Sequence, residues 1–314
     1  MRVVVLDDYQ HAAGSFADWS TLDAEVVFLD RHLADQDELV STLAGFDVVV
    51  AMRERTPFPA DLLGRLTDLR LLVTTGQRNA AIDLEAAAAN GITVCATGYF
   101  SSATLEHTWA MILAAARHLP AEFAAVADGR WQQQVGISLA GRTLGLAGLG
   151  RLGSAVAKIG LAFDMEVIAW SQNLTAERAA EVGVVAVSKK DLLARSDVLS
   201  IHLVLSGRTR GLIGAAELAS MKPTALLVNS SRGPIVDEAA LLEALQHRVI
   251  AGAALDVFDV EPLPSDHPFR TLPNATVTPH IGYVVDEQYR TFYGDAVEDI
   301  AAFAAGAPVR VLSP

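Results

Sequence analysis

Thr143-Leu144-Gly145-Leu146-Ala147-Gly148-Leu149-Gly150-Arg151-Leu152-Gly153 is an apolar run that breaks into three glycines spaced G-x-G-x-x-G. Glycines alone recur in many turns, but these follow a strand-like run and precede Ser154–Phe163, which reads as a helix. Each glycine has its own physical reason. Gly148 permits the tight turn, Gly150 lets the backbone approach a pyrophosphate, and Gly153 lets the helix pack closely on the strand. The helix N-terminus adds unpaired N–H groups and a dipole that favours an anion. The stretch reads as a dinucleotide site, with Arg151 and Leu152 inside its loop.

The same rhythm extends in both directions. Downstream lie the runs Met165–Trp170, Val184–Val187, Val198–Leu203, Ala225–Ser230 and Ala251–Asp256. Upstream lie Val3–Leu6, Val26–Leu29, Val48–Val50, Leu71–Thr74 and Ile92–Cys95, with helices predicted at Gln36–Leu43, Ala60–Leu66 and Leu84–Ala89. Asp83 stands ready to cap the last of these. A longer helix, Thr104–Arg117, has Ser101 and Ser102 available for capping and basic residues at its far end, and it carries the chain between domains. The tail Asp286–Phe303 reads as a helix returning to the first domain, followed by the apolar run Val309–Leu312. Alternation of this kind predicts an α/β chain with two doubly wound, Rossmann-like domains, each on a parallel sheet, separated by a cleft.

Composition supports that class. Hydrophobic residues make up 51% and charged residues 19%, which suits strands buried between helices and argues against disorder. With a net charge of −13 and scattered Lys and Arg, a nucleic-acid partner is not expected. The lone Cys95 excludes an intrachain disulfide and a cysteine-based zinc cluster. No basic and apolar leader opens the sequence, and no stretch has the ~18 uninterrupted apolar residues of a spanning helix. A soluble, cytoplasmic protein without a membrane partner is expected.

Arg232, Glu261 and His280 each stand just past a short apolar run. If those runs are parallel strands, all three side chains emerge at the carboxyl edge of one sheet, where open α/β sheets bind ligands. Arg232 can grip a carboxylate through two parallel hydrogen bonds, which lysine cannot reproduce. The His280 imidazole can pass a proton to or from a reacting oxygen. Glu261 is the natural partner of its other ring nitrogen. Singly, an arginine after a strand is usually a surface ion pair and a histidine usually structural; their joint occurrence points to acid/base chemistry on a carbonyl beside a carboxylate. Trp131 and Tyr283 read as packing residues, and Glu106 and His107 fall outside the proposed pair.

Cofactor choice turns on the end of the next strand. A carboxylate there would bond an adenosine ribose 2′-hydroxyl, yet Trp170 is followed by Ser171-Gln172-Asn173. Without its repulsion a 2′-phosphate becomes tolerable, so NAD or NADP is expected, leaning to relaxed or NADP use.

Through Gly148 to Gly153, Val228-Asn229-Ser230-Ser231-Arg232-Gly233, Ala254-Leu255-Asp256-Val257-Phe258 and Thr278-Pro279-His280-Ile281-Gly282, the sequence resembles the D-isomer-specific 2-hydroxyacid dehydrogenase family over almost its whole length. The resemblance implies a substrate domain at 1–98 plus 285–314, a dinucleotide-binding domain at 99–284, and a homodimer. It also implies hydride transfer between NAD(P)H and a small 2-oxo acid or D-2-hydroxy acid, with Arg232 binding the substrate, His280 as acid/base and Glu261 tuning it. Asp256 would accept from the nicotinamide amide. Thr104, His202, Val204, Thr209, Ser230, Ser231 and Gly282 would line the cofactor with Ser171; some members carry proline where Val204 stands.

Gly76, Gln77 and Arg78 would form the substrate loop, where the family usually offers small residues after Thr75-Gly76. Arg78, with Arg53 and Arg55 at another strand end, would suit a second acidic group on the substrate. Two rivals accompany this reading: an NAD(H)-sensing, corepressor-like binding protein and a formate- or phosphite-type dehydrogenase.

Overall fold

The computed structural model describes residues 1 to 314, and the chain divides into two compact units, residues 1–100 with 284–314 and residues 101–283. The first hundred residues run β1 (Arg2–Val5), α1 (Ala13–Phe16), β2 (Glu25–Phe28), α2 (Gln36–Leu43), β3 (Val48–Ala51), α3 (Ala60–Leu63), β4 (Leu71–Thr74), α4 (Leu84–Ala89) and β5 (Thr93–Ala96). All pairings are parallel in the order β2-β1-β3-β4-β5, which reverses between β1 and β3. Every residue of β3 and β4 is buried, which is why both read as unbroken apolar runs. Asp35 caps α2 by accepting from Glu38 N, and Asp83 caps α4 by accepting from Ala86 N, each cap worth about 1 kcal/mol.

The second unit follows as α5 (Ser102–Ala116), α6 (Leu119–Ala127), β6 (Thr143–Ala147), α7 (Arg151–Ala162), β7 (Glu166–Trp170), α8 (Ala176–Ala180), β8 (Val185–Ala186), α9 (Lys189–Arg195), β9 (Val198–Ile201), α10 (Ala215–Ala219), β10 (Leu226–Asn229), α11 (Glu238–Gln246), β11 (Gly252–Leu255) and β12 (Ala275–Val277). Its parallel sheet has the order β12-β11-β10-β9-β6-β7-β8 and reverses between β6 and β9. Leu227 joins an apolar cluster with Leu199, Leu241 and Leu245, whereas the next residue, Val228, joins one with Ile112, Leu144 and Val156. That period of two places the two clusters on opposite faces of the sheet.

Register is what builds the site. Trp170, Ala147, Ile201, Asn229, Leu255 and Val277, the last residues of six strands, stand side by side across the sheet. The loops that follow therefore all leave from one edge. The remaining element, α12 (Asp286–Ala304), belongs to the first unit and buries Phe292, Tyr293 and Ile300. No single helix is long and apolar enough to cross a membrane.

Strand limits fall within two residues of those expected, but the helices differ in instructive ways. α7 starts at Arg151 and not at Ser154, because Gly153 is already helical beneath the turn. Neither serine caps α5: Ser101 makes no side-chain capping bond, and the last turn holds no basic residue. Helices α1, α6, α8, α9, α10 and α11 have no counterpart in the expected pattern; α1, α8 and α10, only 4, 5 and 5 residues long, are too short to display a helical period. The run Val309–Leu312 forms only a single bridge, Val311 to Cys95.

Candidate active site

The glycine turn joins β6 to α7. Gly148 has φ +105°, a conformation that L side chains rarely adopt, and a Cβ there would lie 2.5 Å from His202 O. At Gly153 a Cβ would lie 2.2 Å from Gly148 O, so this glycine is what allows the helix to start against the turn. Gly150 differs: a Cβ would meet no atom within 4 Å. It is the N-cap of α7 and makes no side-chain capping bond, so no capping side chain takes the place at this helix N-terminus that a phosphate would take. These residues fit a dinucleotide.

Three loops further along the same edge carry Arg232, Glu261 and His280. After β12 comes His280, whose Nδ1 lies 2.5 Å from Glu261 Oε2. A carboxylate only accepts, so Nδ1 carries the hydrogen and Nε2 is left outside that bond. The other carboxylate oxygen, Glu261 Oε1, accepts from Phe258 N at 2.9 Å, which fixes the glutamate on its own loop after β11.

Arg232 comes from the loop after β10. Its neighbour Gly233 packs so closely on the Glu261 loop that a Cβ would sit 2.2 Å from the Phe258 carbonyl carbon. Asn229 braces the turn, donating from Nδ2 to Arg232 O at 3.0 Å and accepting from Ser231 N at 3.1 Å. The arginine loop, the glutamate loop and the histidine are thus brought together by successive contacts.

His280 has φ +54°, a left-handed backbone that costs a non-glycine residue about 1–2 kcal/mol. Asp256 holds it there. Oδ1 accepts from Thr278 Oγ1 at 2.6 Å and from Ile281 N at 2.9 Å, and Oδ2 accepts from Gly282 N at 2.9 Å, so the carboxylate clasps the chain on both sides of the histidine. His107 of α5 completes the cluster, its Nε2 lying 3.2 Å from both Asp256 Oδ1 and Thr278 Oγ1. Asp256 is only 1% exposed. Burial alone would raise its pKa, but the His107 contact, the Thr278 hydroxyl and the Ile281 N–H outweigh burial and hold it below the usual carboxylate range. Nothing in the sequence marked His107 for this role.

The other expected residues are distributed as follows. A Cβ on Gly282 would lie 3.8 Å from Thr104 Cγ2, and Ser230 Oγ lies 3.0 Å from Thr108 Oγ1, so Thr104 and Ser230 border the same cluster. Ser231 Oγ donates to Leu203 O at 2.5 Å, tying the arginine loop to the loop after β9. In that loop Thr209 Oγ1 donates to Val204 O at 2.7 Å, and Val204 is exposed. His202 bonds Ser200 Oγ through Nε2 at 3.0 Å while Nδ1 is buried without a partner. Burial lowers its pKa to about 4, which keeps the ring neutral. Ser171 is half-buried at the end of β7, Arg151 is exposed and Leu152 half-buried.

In the first unit, Arg53 follows β3 with φ +54°. Its N donates to Thr75 Oγ1 at 2.9 Å, its Nη1 to Thr75 O at 3.3 Å, and its Nη2 pairs with Glu54 at 3.6 Å. The guanidinium lies over Gly76, where a Cβ would come within 1.8 Å of Nη1. Buried Asn79 binds the two loops, donating to Arg53 O at 2.7 Å and to Thr74 Oγ1 at 2.9 Å. Gln77 and Arg78 are exposed. Arg55 turns instead toward Tyr9, 4.9 Å from its ring centroid.

Residues 109–282 match the model of the D-isomer specific 2-hydroxyacid dehydrogenase, NAD binding domain. A D-3-phosphoglycerate dehydrogenase of Archaeoglobus fulgidus is 36% identical over 99% of this chain, which spans 58% of that relative's length. A glyoxylate reductase of Aeropyrum pernix is 43% identical over 78% of this chain and 76% of its own. Among solved structures, a phosphoglycerate oxidoreductase from Vibrio cholerae superposes with a TM-score of 0.93 at 36% identity, covering 98% of this chain and all of the other. The chain belongs to the D-isomer-specific 2-hydroxyacid dehydrogenase family.

Proposed function

We propose that this protein reduces a small 2-oxo acid to the D-2-hydroxy acid, and catalyses the reverse, with Arg232, Glu261 and His280 as its catalytic residues. The observation that carries this reading is the 2.5 Å contact between His280 Nδ1 and Glu261 Oε2. It orients the ring and leaves Nε2 to meet the substrate oxygen at C2. Arg232 binds the substrate carboxylate and polarises the adjoining carbonyl. A bound nicotinamide supplies the hydride. Gly148, Gly150 and Gly153 with Arg151 and Leu152 receive its pyrophosphate. Thr104, Ser171, His202, Val204, Thr209, Ser230, Ser231 and Gly282 border the rest. Asp256 Oδ2 accepts from Gly282 alone and so keeps a lone pair for an amide N–H.

Two finer features follow from particular residues. Ser171 offers no carboxylate to repel a 2′-phosphate, so NADPH is accepted alongside NADH. Arg53, lying across Gly76, with Gln77 and Arg78 beside it, favours substrates with a second acidic group. A panel of 2-oxo acids, with and without such a group, followed by absorbance of NADH and of NADPH, tests all of this together. Turnover is expected with both cofactors and fastest with the doubly acidic substrates. Silence across the panel would remove the activity, a hundredfold NADH preference the relaxed cofactor choice, and equal rates the second anion contact.

We further propose a cytoplasmic homodimer, without nucleic-acid or membrane partners. Around α6 and the segment after it, Phe123, Val126, Trp131 and Val135 are 68%, 54%, 74% and 92% exposed, a grouping that suits burial against a second copy. Sedimentation should give twice the 33.3 kDa chain mass, and Phe123→Glu should shift it toward one; a monomeric parent rejects the dimer.

A further inference from the structure

The segment between β11 and β12 is long and irregular, yet Glu261 within it must meet His280 to a fraction of an ångström. Glu238, the first residue of α11, touches this segment at two points that bracket Glu261. Its Oε2 accepts from Asp259 N at 3.2 Å, and its Oε1 lies 3.2 Å from His267 Nε2. Phe269 N donates to His267 Nδ1 at 3.3 Å. His267 Nδ1 therefore bears the lone pair and Nε2 the hydrogen, so Glu238 faces two donors. His267 is also seated by its ring, 5.0 Å from that of Phe269, and Phe269 is buried in the core beneath the loop.

We infer that Glu238, with His267, is a positioning residue for the reaction: it staples both ends of the loop that carries Glu261 and thereby sets the glutamate against His280. The inference rests on the role given above to Glu261. The stapling needs a carboxylate. A glutamine has one acceptor oxygen and one donating amide, so it would satisfy either Asp259 N or His267 Nε2 and oppose a donor to the other. His267 cannot relieve the conflict by changing tautomer, because its Nδ1 would then turn a hydrogen toward Phe269 N. An unmet donor pair at the staple loosens the segment between residues 259 and 267, and Glu261 lies in it.

The test compares Glu238→Gln, Glu261→Gln and the double variant. First, in cofactor-free protein labelled with 15N-histidine, the His280 Nδ1–H resonance reports the bond to Glu261 without any turnover. It should be shifted and broadened in Glu238→Gln, and lost in Glu261→Gln. Second, on the best 2-oxo acid, Glu238→Gln should lower kcat about tenfold in the parent but no more than about twofold in the Glu261→Gln background, since a residue acting through another adds nothing once that other is gone. The pH profile of the single variant should move in the same direction as that of Glu261→Gln. His267→Leu should reproduce the loss and His267→Gln, which keeps a donor for Glu238, should restore most of it; this pair also decides the matter if Glu238→Gln does not accumulate folded.

An unchanged His280 resonance, or the same loss of kcat in both backgrounds, overturns the staple. A protein silent toward every 2-oxo acid but with the expected resonance changes overturns the catalytic reading and leaves the staple standing.

Discussion

His280 is held by a left-handed backbone, by Asp256 on both sides of its turn and by Glu261 on its ring. The expense of that conformation is met by hydrogen bonds that a right-handed residue 280 would lose, which is the pattern of strain stored where geometry matters. Glu261→Gln isolates the hydrogen bonding, since the amide keeps the shape but has one acceptor oxygen where the carboxylate accepts from both His280 Nδ1 and Phe258 N. It should lower kcat by about a hundredfold. A kcat equal to the parent's would mean that Glu261 does not act through the ring. At this scale the sequence showed half of the arrangement. Arg232, Glu261 and His280 were legible because each follows an apolar run. His107 was not, because its partner Thr278 lies 171 residues away, and Glu238 was not, because it looks like any acidic first residue of a helix.

Among elements, the turn between β6 and α7 separates binding from folding glycine by glycine. Gly150 faces open space at a helix N-terminus, whereas Gly153 is pressed against Gly148 O. Gly150→Asp should keep or slightly raise the melting temperature, because aspartate is a good N-cap, yet weaken cofactor binding by more than about a hundredfold through like-charge repulsion. Gly153→Ala should do the opposite kind of harm, lowering stability by about 1–3 kcal/mol through overpacking. Thermal unfolding and cofactor fluorescence titration separate the two, and equal effects on both measures would contradict these roles. The strands were readable because burial on both faces leaves continuous apolar runs. Short helices such as α8 and α10 were not, for a turn or two of chain is placed by tertiary packing and leaves no period behind.

For the whole molecule, the sequence rhythm foretold two parallel sheets; it carried no sign of the polar burial that accompanies them. The first unit encloses Asp299 of α12 completely, with Arg310 Nε donating to Oδ1 at 3.0 Å and no partner at Oδ2. Burial raises its pKa to about 7; Arg310 opposes the shift, and Asp295 and Glu298 add to it. The folded state therefore holds this proton more tightly than the unfolded chain. Its contribution is fully present below the ordinary carboxylate range, diminishes as pH rises toward about 7 and is absent above it. Asp299→Asn, permanently neutral, should gain stability relative to the parent between about pH 5 and about pH 8, read as a difference in melting temperature. A difference that does not change with pH would mean that Asp299 is not protonated in the folded protein.

We propose that the imidazole after β12 moves the proton while the glycine turn after β6 binds the cofactor, two tasks on one sheet edge. Parallel measurement of kcat and cofactor Kd for His280→Gln tests it most directly. In this variant kcat should fall by about 10²–10⁴-fold while Kd stays within about twofold of the parent. Undiminished turnover in His280→Gln would contradict it.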